Sequence, residues 1–299
     1  MRFKNIIHIG MQKTATSFFQ EVVFKELSKY SKYRYISPHQ TRKMIKLSPF
    51  KSIEFKSQYI NLKNLKKLYL RNKIISQENL IGENPRFWEK HSEVNEKIFG
   101  YNNKIFITIR KPSDYVYSKY IQLVKDYNFI SLNDFLNNYF SLNHFDYRKL
   151  INFYKARFKS TKILKFENLF DDAKLSSILE INSSIIQNFK KNNLAFVLKK
   201  KSNVSLSGFS YNLNKGLNKF LLYFDCSLED YNNKINSIRS KNKFYNNLLT
   251  NFNTFNFTNK FDLILKKLMI YKKPKLKFSK DHKRKLKKLD YIYNNCIFD

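Results

Sequence analysis

The sequence predicts an α/β protein with a central parallel sheet flanked by helices. Two observations carry this reading. Short apolar runs rich in isoleucine recur along the first two thirds of the chain. Segments with helical spacing of apolar residues alternate with them. Such alternation argues for a sheet covered on both sides. No Gly/Ser-rich or Pro-rich linker and no fixed-period repeat divides the chain, so all 299 residues read as one domain.

Ile6-Ile7-His8-Ile9 ends at Gly10 and reads as a buried strand before a tight turn. From Thr14 to about Lys29 the spacing is helical, with Phe18, Val22 and Leu27 on an apolar stripe. Tyr33 to Ile36 is a second short strand, and residues 40 to 70 read as helices with charged faces. Lys73-Ile74-Ile75-Ser76 is a third strand. Ile105-Phe106-Ile107-Thr108-Ile109 is the clearest strand, β-branched and bounded by Asn102-Asn103 and Pro112. Pro112 suits a first helical position. Ile163-Leu164-Lys165-Phe166 is the last strand. Beyond about Leu198 the strand pattern fades. A core of about 1–205 is thus followed by a helical C-terminal part, about 206–299, rich in Lys and Asn.

The charge is one-sided. Lys and Arg number 57 against 23 Asp and Glu, a net charge of +34. Two readings stay open: a protein that handles polyanions, or the drift toward Lys, Asn, Ile, Phe and Tyr of an AT-rich genome. Cys226 and Cys296 match no metal spacing and no disulfide framework, which suits a reducing cytoplasm. No segment has the length and apolar character of a membrane span, and no signal peptide is read at the start. The expected location is cytoplasmic, at most peripheral to a membrane.

Two segments carry chemistry. Gly10-Met11-Gln12-Lys13-Thr14-Ala15-Thr16-Ser17 lies between a strand and a helix. Unpaired N–H groups and the helix dipole favour an anion there. Thr14, Thr16 and Ser17 add hydroxyls, and Lys13 adds a cation that can meet charge developing on a leaving group. An ordinary capped turn with Lys13 in solvent is the plainer alternative. The Gly-Lys pair of a Walker A loop is missing. In the second segment, Arg110 ends a strand and Ser118 lies about two turns into the next helix. The pair could converge on a phosphate, for which Arg offers a planar fork. Alternatively, Arg110 pairs with a carboxylate such as Asp114.

Ile7 to Gln20 resembles the 5′-phosphosulfate loop of sulfotransferases that use 3′-phosphoadenosine 5′-phosphosulfate (PAPS), in particular the bacterial-type carbohydrate sulfotransferases. Gln12 stands where Pro is common, Ala15 where Gly is frequent and Ser17 where Thr is common. Ile105 to Tyr120 is similar to the same family's 3′-phosphate motif, with Arg110 and Ser118 on its two functional positions. The resemblance covers roughly residues 3 to 205. It implies a P-loop-like three-layer fold and sulfuryl transfer from PAPS to a hydroxyl or amine. The acceptor it implies is a carbohydrate or glycolipid, and no metal is called for. Gly10, Gln12, Lys13, Thr14, Ala15, Thr16 and Ser17 would hold the phosphosulfate, with Lys13 also catalytic. Arg110 and Ser118 would hold the 3′-phosphate.

The general base is the next expectation. Glu78 follows the Lys73–Ser76 run, and ligands of open parallel sheets bind at the carboxyl ends of strands. A surface carboxylate or a helix-start charge is the alternative. Ser76-Gln77-Glu78-Asn79-Leu80 resembles a stretch of carbohydrate sulfotransferases in which Glu or His is the base, which implies that role for Glu78. His8 is a second candidate, though a lone strand histidine is more often a satisfied core residue. Glu167 reads as structural. The basic run through Lys201 and Asn203 resembles a loop that closes over the nucleotide, or else is solvated. Trp88, the single tryptophan, is either a sugar platform or core. Residues 279 to 294 resemble the terminal helix of bacterial members, with a solvated basic face. Three rivals remain: a kinase-like P-loop nucleotide binder, a basic nucleic-acid-binding protein, and a degenerate sulfotransferase fold that binds without catalysing. The chain carries no zinc-finger spacing or RNP pattern, so no specific nucleic acid is expected.

Overall fold

The computed structural model of the protein describes residues 5–11, 13–45, 72–82, 84–125, 130–169, 171–199, 211, 212, 215 and 274–296. The chain divides into two compact units. One comprises Met1–Val116, Asn133–Lys200 and Ser279–Asp299, the other Tyr117–Leu132 and Lys201–Phe278. In the second unit, Tyr117 donates to the Pro274 carbonyl at 3.0 Å and Tyr120 to the Ile130 carbonyl at 3.0 Å.

The first unit is built on five strands: β1 (Asn5–Gly10), β2 (Arg34–Ile36), β3 (Lys73–Ser76), β4 (Lys104–Ile109) and β5 (Ser160–Lys165). They form an all-parallel sheet in the order β2-β3-β1-β4-β5. Every residue of β1 and β4 is buried, as expected for strands covered on both faces. β5 lies at an edge and mixes buried with exposed positions. It begins at Ser160, three residues before its apolar run, and pairs along all of β4. The fold-class expectation is met: an α/β protein with a parallel sheet flanked by helices.

Successive strand residues face opposite sides. Ile6, Ile74, Phe106 and Leu164 join one core cluster with Phe19, Val22, Val23, Phe24 and Leu27. Leu175, Ile178, Leu179, Ile186 and Phe189 complete it from the helices Asp172–Leu179 and Ser183–Lys199. Ile7, Ile9, Ile75, Ile105 and Ile107 point the other way and are equally inaccessible. The helices Trp88–Phe99 and Tyr147–Arg157 meet through Asn95, which donates to the Tyr154 hydroxyl at 2.7 Å.

The helical run 16–30 is not uniform. It is α-helical over Thr16–Phe18, π-helical over Phe19–Val23 and α-helical again over Phe24–Leu27, ending in the 3-10 turn Ser28–Tyr30. Val22, Val23 and Phe24 are all buried in succession. The π turn precedes Phe24 directly and carries Val22 and Val23 into the same core cluster.

Polar ties anchor the amino ends of the strands. Asn5 donates to Asn103 Oδ1 at 3.0 Å and accepts from the Lys73 amide at 3.0 Å. Asn103 donates to the Phe99 carbonyl at 2.6 Å. The buried Lys104 ammonium reaches Glu180 at 2.8 Å and the carbonyls of Ser177 and Ile178, both at 3.2 Å. Lys32 and Tyr33 also bond Glu180.

Candidate functional site

From β1 the chain goes to β2 and β3 on one side. It then crosses to β4 and β5 on the other. Strand order reverses at β1, and the carboxyl end of such a strand is where open α/β sheets bind ligands. Gly10 ends β1 there. A Cβ on Gly10 would come within 2.1 Å of Thr16 Oγ1, so only glycine lets the loop fold back this tightly.

Lys13 and Ala15 both adopt left-handed backbone, with φ of 64° and 61°. Such strain in non-glycine residues concentrates at ligand-binding loops. Ala15 is also the N-cap residue of the run 16–30, and no side chain caps it. A methyl group cannot accept a hydrogen bond, so the first-turn N–H groups lack the usual Ser, Thr, Asp or Asn partner. Ser17 is exposed in that first turn.

Thr14 and Thr16 are buried. Their hydroxyls donate to the Met11 carbonyl at 2.6 and 3.0 Å. The sequence predicts these hydroxyls as donors to an anion. The structure turns them inward, and the Thr14 amide also donates to the Met11 carbonyl, at 3.3 Å, so of the two only Thr16 offers a ligand its backbone N–H. Thr14 Oγ1 also lies 2.7 Å from Thr108 Oγ1 of β4.

β3 and β4 flank β1, with His8 opposite Ser76 and Gly10 opposite Thr108. Glu78 follows β3 directly, at the start of the 3-10 turn Glu78–Leu80, and is half-buried. Arg110 follows β4. Glu78 and Arg110 therefore leave the sheet on either side of the loop, from strands two places apart in the sheet.

Arg110 bridges the crevice. Its Nη1 donates to the Lys13 carbonyl at 3.2 Å, and its guanidinium lies 4.7 Å from the centre of the Phe166 ring. Its own carbonyl accepts from the Tyr147 hydroxyl at 2.7 Å. The terminal helix Lys280–Asn295 supports the same region. Asp290 accepts from the Ser113 amide at 2.9 Å, capping the helix Pro112–Lys125 that follows Arg110. Glu167 accepts from the Tyr293 hydroxyl, which gives it the structural place expected of it. No local motif announces Tyr147 or Asp290, because each acts on residues distant in the chain.

His8 is fully buried among Phe19, Phe24 and Phe106, at ring separations of 4.8–5.2 Å. Burial lowers its pKa to about 3, and both ring nitrogens have hydroxyl partners. It is a satisfied core residue rather than a solvent-facing base. Trp88 is likewise core, buried against Phe145 and stacked on Tyr147.

The structure thus gathers Gly10, Lys13, Thr14, Ala15, Thr16, Ser17, Glu78 and Arg110 at the ends of three adjacent strands. Ser118 is on the helix Pro112–Lys125 and falls in the second unit. Gln12, Lys201 and Asn203 lie outside the described residues. Among the described residues, no group of three or more His, Cys, Asp or Glu could hold a metal ion. No described helix is long and apolar enough to cross a membrane. A basic groove of about 390 Å³, lined by Lys25, Lys29, Lys32 and Arg34 among others, reaches the amino end of β2 and contains none of the predicted site residues.

No protein-family model matches the chain, and no curated protein does. Among solved structures, it is similar to a sulfotransferase from Alicyclobacillus acidocaldarius, at 15% identity and a TM-score of 0.42. The match covers 76% of this chain and 98% of that one.

Proposed function

We propose that this protein moves a sulfuryl group from PAPS to a hydroxyl or amine of an acceptor, a carbohydrate or glycolipid. The observation that carries the reading is the meeting of two motifs. The loop after β1 resembles a phosphosulfate loop, the arginine after β4 resembles a 3′-phosphate ligand, and Arg110 touches the loop at the Lys13 carbonyl.

The residues present suit such a donor. The loop has a glycine with no room for a side chain, a helix start without a capping side chain, and a lysine within it. PAPS supplies an activated sulfuryl group on a phosphate. The N–H groups of the first helical turn and the Ser17 hydroxyl hold its anionic oxygens. Lys13 neutralises charge on the bridging phosphate oxygen as the sulfur–oxygen bond breaks. Glu78 takes the acceptor proton as the acceptor atom bonds to sulfur. Arg110 grips the 3′-phosphate with its planar fork. Protein cations and N–H donors supply the charge stabilisation throughout.

The test is turnover. Radiolabelled PAPS is incubated with the protein and a panel of glycans and glycolipids, and label on the acceptor is counted. We expect labelled product with the wild type. Lys13→Ala should lose about 100-fold or more in kcat, and Glu78→Gln about as much. Full activity in both variants would remove the assigned roles. ATP-dependent phosphorylation of the same acceptors would replace the reading with a kinase.

A further inference from the structure

The hydrogen bonds beneath the loop form a chain along which proton positions can be followed from the Met11 carbonyl. The Met11 carbonyl has no proton, so Thr14 Oγ1, 2.6 Å away, must donate to it. Thr14 has then spent its only proton. At the 2.7 Å contact between Thr14 and Thr108, Thr108 must be the donor. Thr108 is then left as the acceptor toward His8 Nε2, at 3.4 Å the longest link of the chain, and that link assigns the ring proton to Nε2. The neutral ring leaves Nδ1 bare, and Nδ1 accepts from Ser76 Oγ at 2.7 Å. Ser76 Oγ in turn accepts from Gln20 Nε2 at 3.1 Å.

The chain therefore runs one way, from Gln20 through Ser76, His8, Thr108 and Thr14 to the Met11 carbonyl. It links the helical run 16–30, three strands and the loop. Its strand members are inaccessible to solvent, and three aromatic rings surround the histidine. A broken member would leave an unsatisfied polar group in the core, which is costly.

We propose that His8, held as its neutral Nε2–H tautomer, is a positioning residue for the anion-binding loop. Through Thr108 it directs the Thr14 hydroxyl onto the Met11 carbonyl. That bond holds the strained turn through Lys13 and Ala15 in the form an anion binds. Ser76 and Thr108 share the role. The proposal rests on the loop being the phosphosulfate cradle. It adds that the cradle's shape is set from inside the sheet.

The test separates the two claims. Nitrogen-15 NMR of the wild type reads the His8 tautomer at neutral pH, with no ligand. We expect the Nε2–H form. Thr108→Val keeps the shape and removes the donor, and Thr108→Ser restores it. In Thr108→Val the backbone amides of residues 13–17 should shift and exchange faster with solvent. Its affinity for adenosine 3′,5′-bisphosphate should fall about tenfold. Thr108→Ser should recover most of both. Ser76→Ala serves as a second variant, with a smaller effect of the same sign, should Thr108→Val not fold. An Nδ1–H tautomer, or unchanged loop amides in folded Thr108→Val, would overturn the positioning role. A wild type that binds no nucleotide would remove the cradle reading alone, with the tautomer and amide results standing or falling by themselves.

Discussion

Ala15 holds a left-handed backbone, at φ 61° and ψ 25°, with a side chain that crowds the following carbonyl. Glycine would relieve that crowding but would also loosen the unfolded chain, and the two effects partly cancel. Ala15→Gly should therefore stabilise the protein by roughly 0.5 kcal/mol, read as a higher denaturant midpoint with an unchanged slope. Ala15→Val should do the opposite, because a β-branched side chain tolerates positive φ worse. The resemblance to the phosphosulfate loop marked Ala15 as a departure from a frequent glycine, and the structure gives that departure a cost. The inward turn of the Thr14 and Thr16 hydroxyls was not legible. A sequence shows which residues carry hydroxyls, but their direction depends on the Met11 carbonyl and on Thr108, 94 residues further along.

At the scale of elements, the strands were the most legible part, because β1, β3 and β4 are almost wholly buried and read as short isoleucine-rich runs. β5 was half legible: its Ser160-Thr161-Lys162 start is polar, as a half-exposed edge strand allows. The π turn at Phe19–Val23 was hidden, since no residue pattern in the run 16–30 marks where the hydrogen-bond spacing widens. The amino ends of β2 and β4 are joined by an ion cluster that also escaped the reading. Burial alone would raise the Glu180 pKa, but hydrogen bonds from Lys104 and Lys32 hold it down, at about 2. Burial meanwhile pulls Lys104 below its usual value despite Glu180, so desolvation takes back part of the gain. A carboxyl group with a lowered folded pKa contributes stability that is fully present above its ordinary value of 4.5 and lost as pH falls toward 2. Glu180→Gln should destabilise the protein by roughly 1–3 kcal/mol at neutral pH. The gap from wild type in urea midpoint should close between pH 4.5 and 2. A constant gap across that range would assign the effect to packing instead.

At the scale of the whole molecule, a net charge of +34 makes the chain repel itself and attract polyanions without regard to sequence. Added salt from about 50 to 300 mM should raise the thermal midpoint by screening that repulsion. DNA binding should weaken steeply over the same range and show no sequence preference, as competition between unrelated duplexes would reveal. The division into two units was not legible, because the boundary falls inside the helix Pro112–Lys125 rather than at a linker. The central claim is that the crevice after β1 and β4 recognises a 3′-phosphorylated nucleotide. Calorimetric titration with adenosine 3′,5′-bisphosphate, against ATP with Mg²⁺ in moderate salt, tests it most directly. The account predicts clear binding of the bisphosphate over ATP, and a loss of about 10- to 100-fold in Arg110→Ala, the cost of removing a charge-assisted contact. Equal, weak and steeply salt-dependent binding of both nucleotides, or no change in Arg110→Ala, would contradict it.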